Sequence, residues 1–174
     1  GNLGCFQPVK AQVFGKPLRV DFQFRNASQV NLKLYRLDMP GILQECKKRI
    51  LKGDRNDLNL FFANLGSWLL DKNGSDYIKE KVREWELPLE PLPDYRDRII
   101  PLEVAVPSPG AYWLVAELPG GQLSRIPLLA EQYQLLMKPL QDEVLWQLVQ
   151  ASNGEPVPEA SVELFAWSQN WDTK

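Results

Sequence analysis

A chain of 174 residues has room for one elaborated domain, or for one domain and part of another. Its 44% hydrophobic and 24% charged residues and net charge of −2 exclude a disordered chain and give no footprint for nucleic acid or an anionic membrane; no apolar run approaches the roughly 20 residues of a membrane span. The count of 0 histidines removes Ser-His and Cys-His nucleophile pairs, histidine bases and histidine metal ligands, leaving paired carboxylates or a Ser-Lys dyad as enzymatic options.

The first predicted elements are strands. AQVF (11–14) is a short one ahead of Gly15-Lys16-Pro17. In PLRVDFQFRNASQVNLKLYRLD (17–38), Leu18, Val20, Phe22 and Phe24 alternate with Arg19, Asp21, Gln23 and Arg25, and Val30, Leu32 and Leu34 resume the alternation after NASQ. A period of two marks half-buried strands, and the stretch reads as a hairpin.

A helical block follows. PGILQECKKRILKG places Leu43, Cys46 and Ile50 at helical spacing, with Pro40 in the first turn and Gly53 at the stop. DLNLFFANLGSWLL repeats the spacing with Leu58, Phe61, Phe62, Leu65 and Leu69. SDYIKEKVREWEL has Ser75 as an N-cap, Asp76 in the first turn and the stripe Ile78, Val82, Trp85 before Pro88. Residues 40–87 therefore read as a helical insertion of three short helices, and LPLEPLPDY (87–95) as a proline-stiffened return.

Strands resume with IIPLEVAV and AYWLVAEL on either side of PSPG, then a Gly120-Gly121 hairpin turn and LSRIPLL. Short strands joined by Pro/Gly turns, with the helices in one block, predict a β-sandwich and argue against a doubly wound sheet. From AEQYQ (130–134) a second unit begins, with QLLMKPL, EVLWQLVQA and SVELFAW as strands. A sandwich takes about 100 residues, so residues 131–174 read as the start of a second, truncated domain. In NGEPVPEASVELFAW, Asn153-Gly154 is a tight turn, Pro156 and Pro158 remove two donors, Ala160 is expected against the facing sheet, and Val162 and Leu164 are expected to point to the core.

The pattern Gly-x-Pro-Val-x-x-Ala-x-Val at 154–162 resembles the opening of macroglobulin domains in bacterial α2-macroglobulin-like proteins, and it also occurs in other extracellular immunoglobulin-like modules. The family often has Gly where this chain has Glu159. GKPLRVDFQFRNASQVNLKLYRLD is similar to a strand pair of the family, and the stretch from IPLEVAV through P-x-P-G-x-Y to the G-x-P-V of the next unit follows its order. The resemblance covers residues 15–38 and 99–166 and leaves out the block 40–87. It implies a mainly β, immunoglobulin-like (macroglobulin) β-sandwich over 6–130, into which the helical spacing of 40–87 sets a helical insertion, followed by a partial second sandwich over 131–174. It also implies a large periplasmic, cell-surface or secreted parent, with lipid anchoring as an option, that entraps proteases once they cleave a bait region. Neither Cys5 nor Cys46 is followed by the Cys-x-x-Gln spacing of the family's internal thioester, and no bait region is identifiable.

Several residues invite sharper readings. Trp113 and Trp146 on strand faces fit a carbohydrate platform, while core or interface filling is the plainer account of the same rings. IKEKVREWE (78–86) reads as a solvated helix face. EWELPLEPLPDY is acidic without the spaced carboxylates of a calcium loop. Two cysteines cannot close a zinc site of four thiolates; one disulfide and two separate thiols both remain open. Cys5 raises a lipoprotein start, but Asn2 stands where a lipobox has Leu. The expectation is a non-enzymatic structural fragment with no catalytic, cofactor-binding or metal residues of its own. Its partners would be neighbouring macroglobulin domains and, through the full-length protein, target proteases, with no nucleic acid and no membrane span. The alternative is a carbohydrate- or protein-binding module of a multidomain secreted protein.

Overall fold

The computed structural model describes residues 2–52, 69 and 75–163. In chain order the strands are β1 (Leu3–Phe6), β2 (Gln12–Val13), β3 (Leu18–Arg25), β4 (Gln29–Leu37), β5 (Ile78–Pro88), β6 (Arg98–Val104), β7 (Gly110–Glu117), β8 (Leu123–Glu131), β9 (Tyr133–Pro139) and β10 (Val144–Gln150), with one helix, α1 (Met39–Leu51), after β4. A three-stranded sheet, β1-β3-β6, faces a five-stranded sheet, β2-β8-β7-β4-β5. Pairing is antiparallel except where β2 runs parallel to β8. The N-terminal segment thus serves both layers, β1 in one sheet and β2 in the other. This strand order is that of an immunoglobulin-like sandwich.

Alternation fixes the core. Leu18, Val20, Phe22 and Phe24 of β3 and Leu102 and Val104 of β6 meet Val30, Leu32 and Leu34 of β4, Tyr112 and Leu114 of β7, and Ile126 and Leu128 of β8. Each such side chain contributes about 1.5–3 kcal/mol on burial. The predicted buried faces are therefore correct, but 17–38 is not a hairpin, because β3 and β4 lie in opposite sheets. A period of two says which face is buried and leaves the neighbour unspecified. Here Asn26 turns the chain with φ 58°, and Ala27, fully buried, carries it across the core. By contrast β7 and β8 do form the hairpin expected at Gly120-Gly121. Gly121 N–H donates to Leu118 C=O at 3.0 Å, and Gly120 has φ 98°, a left-handed conformation natural to glycine.

The P-x-P-G-x-Y stretch builds the crossing from β6 to β7. Tyr112, near the start of β7, is wholly buried, and its hydroxyl donates to Ser108 C=O at 2.7 Å. A tyrosine bonded back to the backbone just upstream is the tyrosine corner of such sandwiches. Arg36 closes over it, its guanidinium carbon 5.0 Å from the ring centroid and its Nη2 2.8 Å from Ser108 Oγ.

Helix α1 forms as expected and caps the outer face of the five-stranded sheet. Asp38 is its N-cap, accepting the Gly41 N–H on Oδ1 at 3.0 Å. Ile42 and Cys46, rather than Leu43, form the buried stripe, packed with Leu37, Ala111, Trp113 and Leu69. The expected second helix falls, apart from Leu69, outside the described residues.

The third expected helix is a strand. Ser75–Tyr77 is one 3-10 turn, and β5 then runs from Ile78 to Pro88 beside β4. Leu87, Trp85 and Arg83 oppose Val30, Leu32 and Leu34, after which two register shifts bring Lys81 and Ile78 opposite Tyr35 and Leu37. Bulges insert extra residues into one strand. With the bulges, Ile78, packed on the helix side of the sheet, and Val82 and Trp85, packed on the sandwich core, fall four and three residues apart, which imitates an amphipathic helix. The charges of 78–86 are solvated, as read, but on an edge strand. Glu84, for example, takes hydrogen bonds from Lys81 and from Asn31, the latter at 3.0 Å, which hold its carboxyl below the usual carboxylate range. Bulges and charge together protect such an edge from pairing with other strands.

Candidate interaction surface

β8 passes into β9 through Gln132 alone, and β9 pairs only with β10 among the described residues. In this hairpin Leu135 opposes Leu148, Met137 opposes Trp146 and Pro139 opposes Val144; Gln134, Leu136 and Lys138 oppose Val149, Gln147 and Leu145. Alternate pairs point to opposite faces, so the first set makes a contiguous apolar strip on one face, bounded by Tyr133 opposite Gln150, and the second a mixed face. The apolar face is open: Leu135, Met137, Val144 and Trp146 are 40%, 58%, 48% and 37% exposed, and Val149 alone in the two strands is buried. A two-stranded ribbon is marginal by itself, and a contiguous apolar face marks a surface that something else covers.

Beyond β10 the expected turn at Asn153-Gly154 is present, with Gly154 at φ 75° and Asn153 Oδ1 accepting the Glu155 N–H at 3.0 Å. The next residues follow the edge of β10: Gln150 N–H donates to Glu155 C=O at 2.8 Å and Val157 N–H to Leu148 C=O at 2.9 Å, so Pro156 costs no bond. Glu159 has φ 55°, the left-handed conformation for which the family's glycine is suited. Ala160 and Val162, expected in a core, are exposed, and 161–163 form no strand. Leu164 and the remainder of SVELFAW lie outside the described residues.

The other residues singled out are scattered. Trp113 is 3% exposed, beneath α1, which removes it from any platform and leaves Trp146 on the open hairpin. Cys5 is exposed on the outer face of the three-stranded sheet opposite Gln23, whereas Cys46 is buried under α1 on the far side of the five-stranded sheet. Both are free thiols. Two layers about 10 Å apart stand between them, beyond the roughly 7 Å that a disulfide spans between Cα atoms. Burial pushes the Cys46 thiol up to about 11, so it is a poor nucleophile.

The described residues of the sandwich form shallow depressions, two of which lie near residues already named. One, of about 220 Å³, lies by Phe14, Lys16 and Val106. The other, of about 230 Å³, is lined in part by Cys5, Gln23, Arg25, Asp97 and Gln122. Asp97 there accepts from Arg25 Nε at 2.7 Å and from Gln23 Nε2 at 2.9 Å, and the arginine bond holds its carboxyl below the usual range. A carboxylate so held is a strut rather than a general base. Among the described residues no group of three or more Asp, Glu, Cys or His side chains could hold a metal, and no helix is long and apolar enough to cross a membrane.

Neither a family model nor a curated protein matches the sequence. Solved structures do match. The chain superposes on native α2-macroglobulin from Escherichia coli spanning domains MG0-NIE-MG1 with a TM-score of 0.56 at 12% identity, over 88% of this chain and 46% of that one. On the fragment of the same protein spanning NIE-MG1 the TM-score is 0.51 at 11% identity, over 90% of this chain and 73% of that one. The present chain thus spans less than half the length of the first of these. What is shared is the fold: a mainly β architecture of several sheets, as in the macroglobulin domains of a bacterial α2-macroglobulin.

Proposed function

We propose that this chain is a non-enzymatic framework segment of a large α2-macroglobulin-like protein that traps proteases at the cell surface, in the periplasm or in the medium. In this reading the sandwich is a macroglobulin domain elaborated by α1, and residues 131–174 begin a second such domain. The observation that carries it is the contrast between a closed sandwich of matching fold and the open apolar face of β9–β10 directly downstream. Half of a sandwich layer has this amphipathic form, and a facing sheet about 10 Å away is its natural cover. Neighbouring domains of the same polypeptide are then the immediate partners, and proteases are engaged by the whole protein.

The test is incubation of the full-length protein with endoproteinases of different specificity. The expected result is cleavage followed by retention of the protease, still active on small peptides and shielded from large substrates. Cleavage without retention for every protease overturns the trapping role. Glycan titration that quenches Trp146 fluorescence would favour a carbohydrate-binding module instead.

A further inference from the structure

We infer that α1 biases the orientation of the β9–β10 unit on the sandwich, so that the inserted helix is a strut between the two as well as a cover for Trp113. This concerns the chain itself and does not rest on protease trapping.

The hand-over from sandwich to hairpin takes one residue, Gln132, and consecutive carbonyls around it are held from opposite sides. Glu131 C=O accepts the Phe14 N–H at 2.8 Å, next to the parallel pairing of Val13 with Glu131. Gln132 C=O accepts the Ala151 N–H, just past the end of β10, at 2.9 Å. One side of the junction is thereby tied to the N-terminal segment and the other to the hairpin. A single attachment still permits rotation about it. The second attachment is at the far end of the unit: the chain follows the edge of β10 through Val157, reverses at Glu159, and sets Glu163 Oε1 2.7 Å from Lys47 Nζ of α1. The helix is itself immobilised on the sandwich by Ile42 and Cys46 and by the Asp38 cap, whose own N–H donates to Tyr77 C=O at 2.9 Å. The path from Glu131 to Glu163 thus leaves the sandwich and returns to it, and two separated anchor points restrict the hinge that Gln132 alone would provide. Solvent-exposed ion pairs are individually weak, so the second anchor biases the orientation rather than locking it.

Spin-label distance measurement tests this. Nitroxides are placed at Lys16→Cys and Lys138→Cys in a Cys5→Ser background, leaving buried Cys46 unlabelled. A single narrow distance distribution is expected for the parent. Lys47→Glu and Glu163→Lys should each raise the fraction of displaced orientations by roughly two- to fivefold, the range that exposed pairs support. The combined Lys47→Glu/Glu163→Lys exchange should restore the narrow distribution, with thermal melting of the sandwich unchanged throughout. A broad distribution in the parent, or one that neither charge reversal alters, overturns the strut. A change that the exchange fails to rescue assigns the effect to something other than this pair and overturns it equally.

Discussion

The sandwich and the β9–β10 hairpin are written in the same alternating pattern and end in opposite states. In the sandwich, two layers close over Phe22, Leu32, Tyr112 and their neighbours. In the hairpin, the equally regular face of Leu135, Met137, Val144, Trp146 and Leu148 meets no second layer among the described residues, and Val149, on the other face, is the one buried residue of the two strands. Alternation supplies an apolar face, whereas stability comes from the element that covers it. The five-stranded sheet makes the same point within one domain. Its inner face is covered by a sheet, and the Trp113 end of its outer face by a helix.

The largest effects should separate the two regions. Phe22→Ala removes a fully buried ring that stacks on Phe24 at 6.3 Å and meets Phe6 at 5.2 Å, and should cost about 3–5 kcal/mol in denaturant unfolding. Met137→Ala on the open face should cost at most about 0.5 kcal/mol; a loss like that of Phe22 would mean the hairpin face is packed after all. The Cys46 thiol comes next. Its pKa, raised by burial from 9.0 to about 11, means the folded state keeps a proton that the unfolded chain gives up. The associated stability is fully present below pH 9 and is lost as pH rises toward 11, by at most roughly 3 kcal/mol. A Cys46→Ala variant should lack this alkaline slope. Tyr112→Phe leaves Ser108 C=O without its buried donor and should lower the unfolding free energy by about 1 kcal/mol, whereas an unchanged value would show the corner to be ornamental. Glu159→Gly, the one change expected to stabilise, relieves a left-handed residue and should gain a few tenths of a kcal/mol, at most about 1 kcal/mol. It should be seen as slower exchange of the Val157 amide, with the sandwich unaffected.

Much of this architecture was legible in the residues. Period-two runs located β3 and β4 and their buried faces, AYWLVAEL and LSRIPLL fell on β7 and β8, and the glycine pair located the turn between them. Motif order pointed to the macroglobulin-type fold that the solved structures share. Pairing was not legible, because β3 and β4 carry no local mark that they belong to different layers. β5 was misread for a physical reason: two bulges gave a strand the residue spacing of a helix. The open face was only half legible, since the adjacent Leu135 and Leu136 blur the alternation that register resolves. The departure from glycine at Glu159, in contrast, marked the position that takes up a positive φ.

Amide hydrogen exchange on the 174-residue chain tests the central contrast most directly. Amides of Tyr112 to Leu114 in β7 should exchange only with global unfolding, and those of Met137, Leu145 and Trp146 at least about 100-fold faster, through local opening. Equal protection in the two regions would show that the hairpin already belongs to a closed core, and the account of an uncovered half-layer would fail.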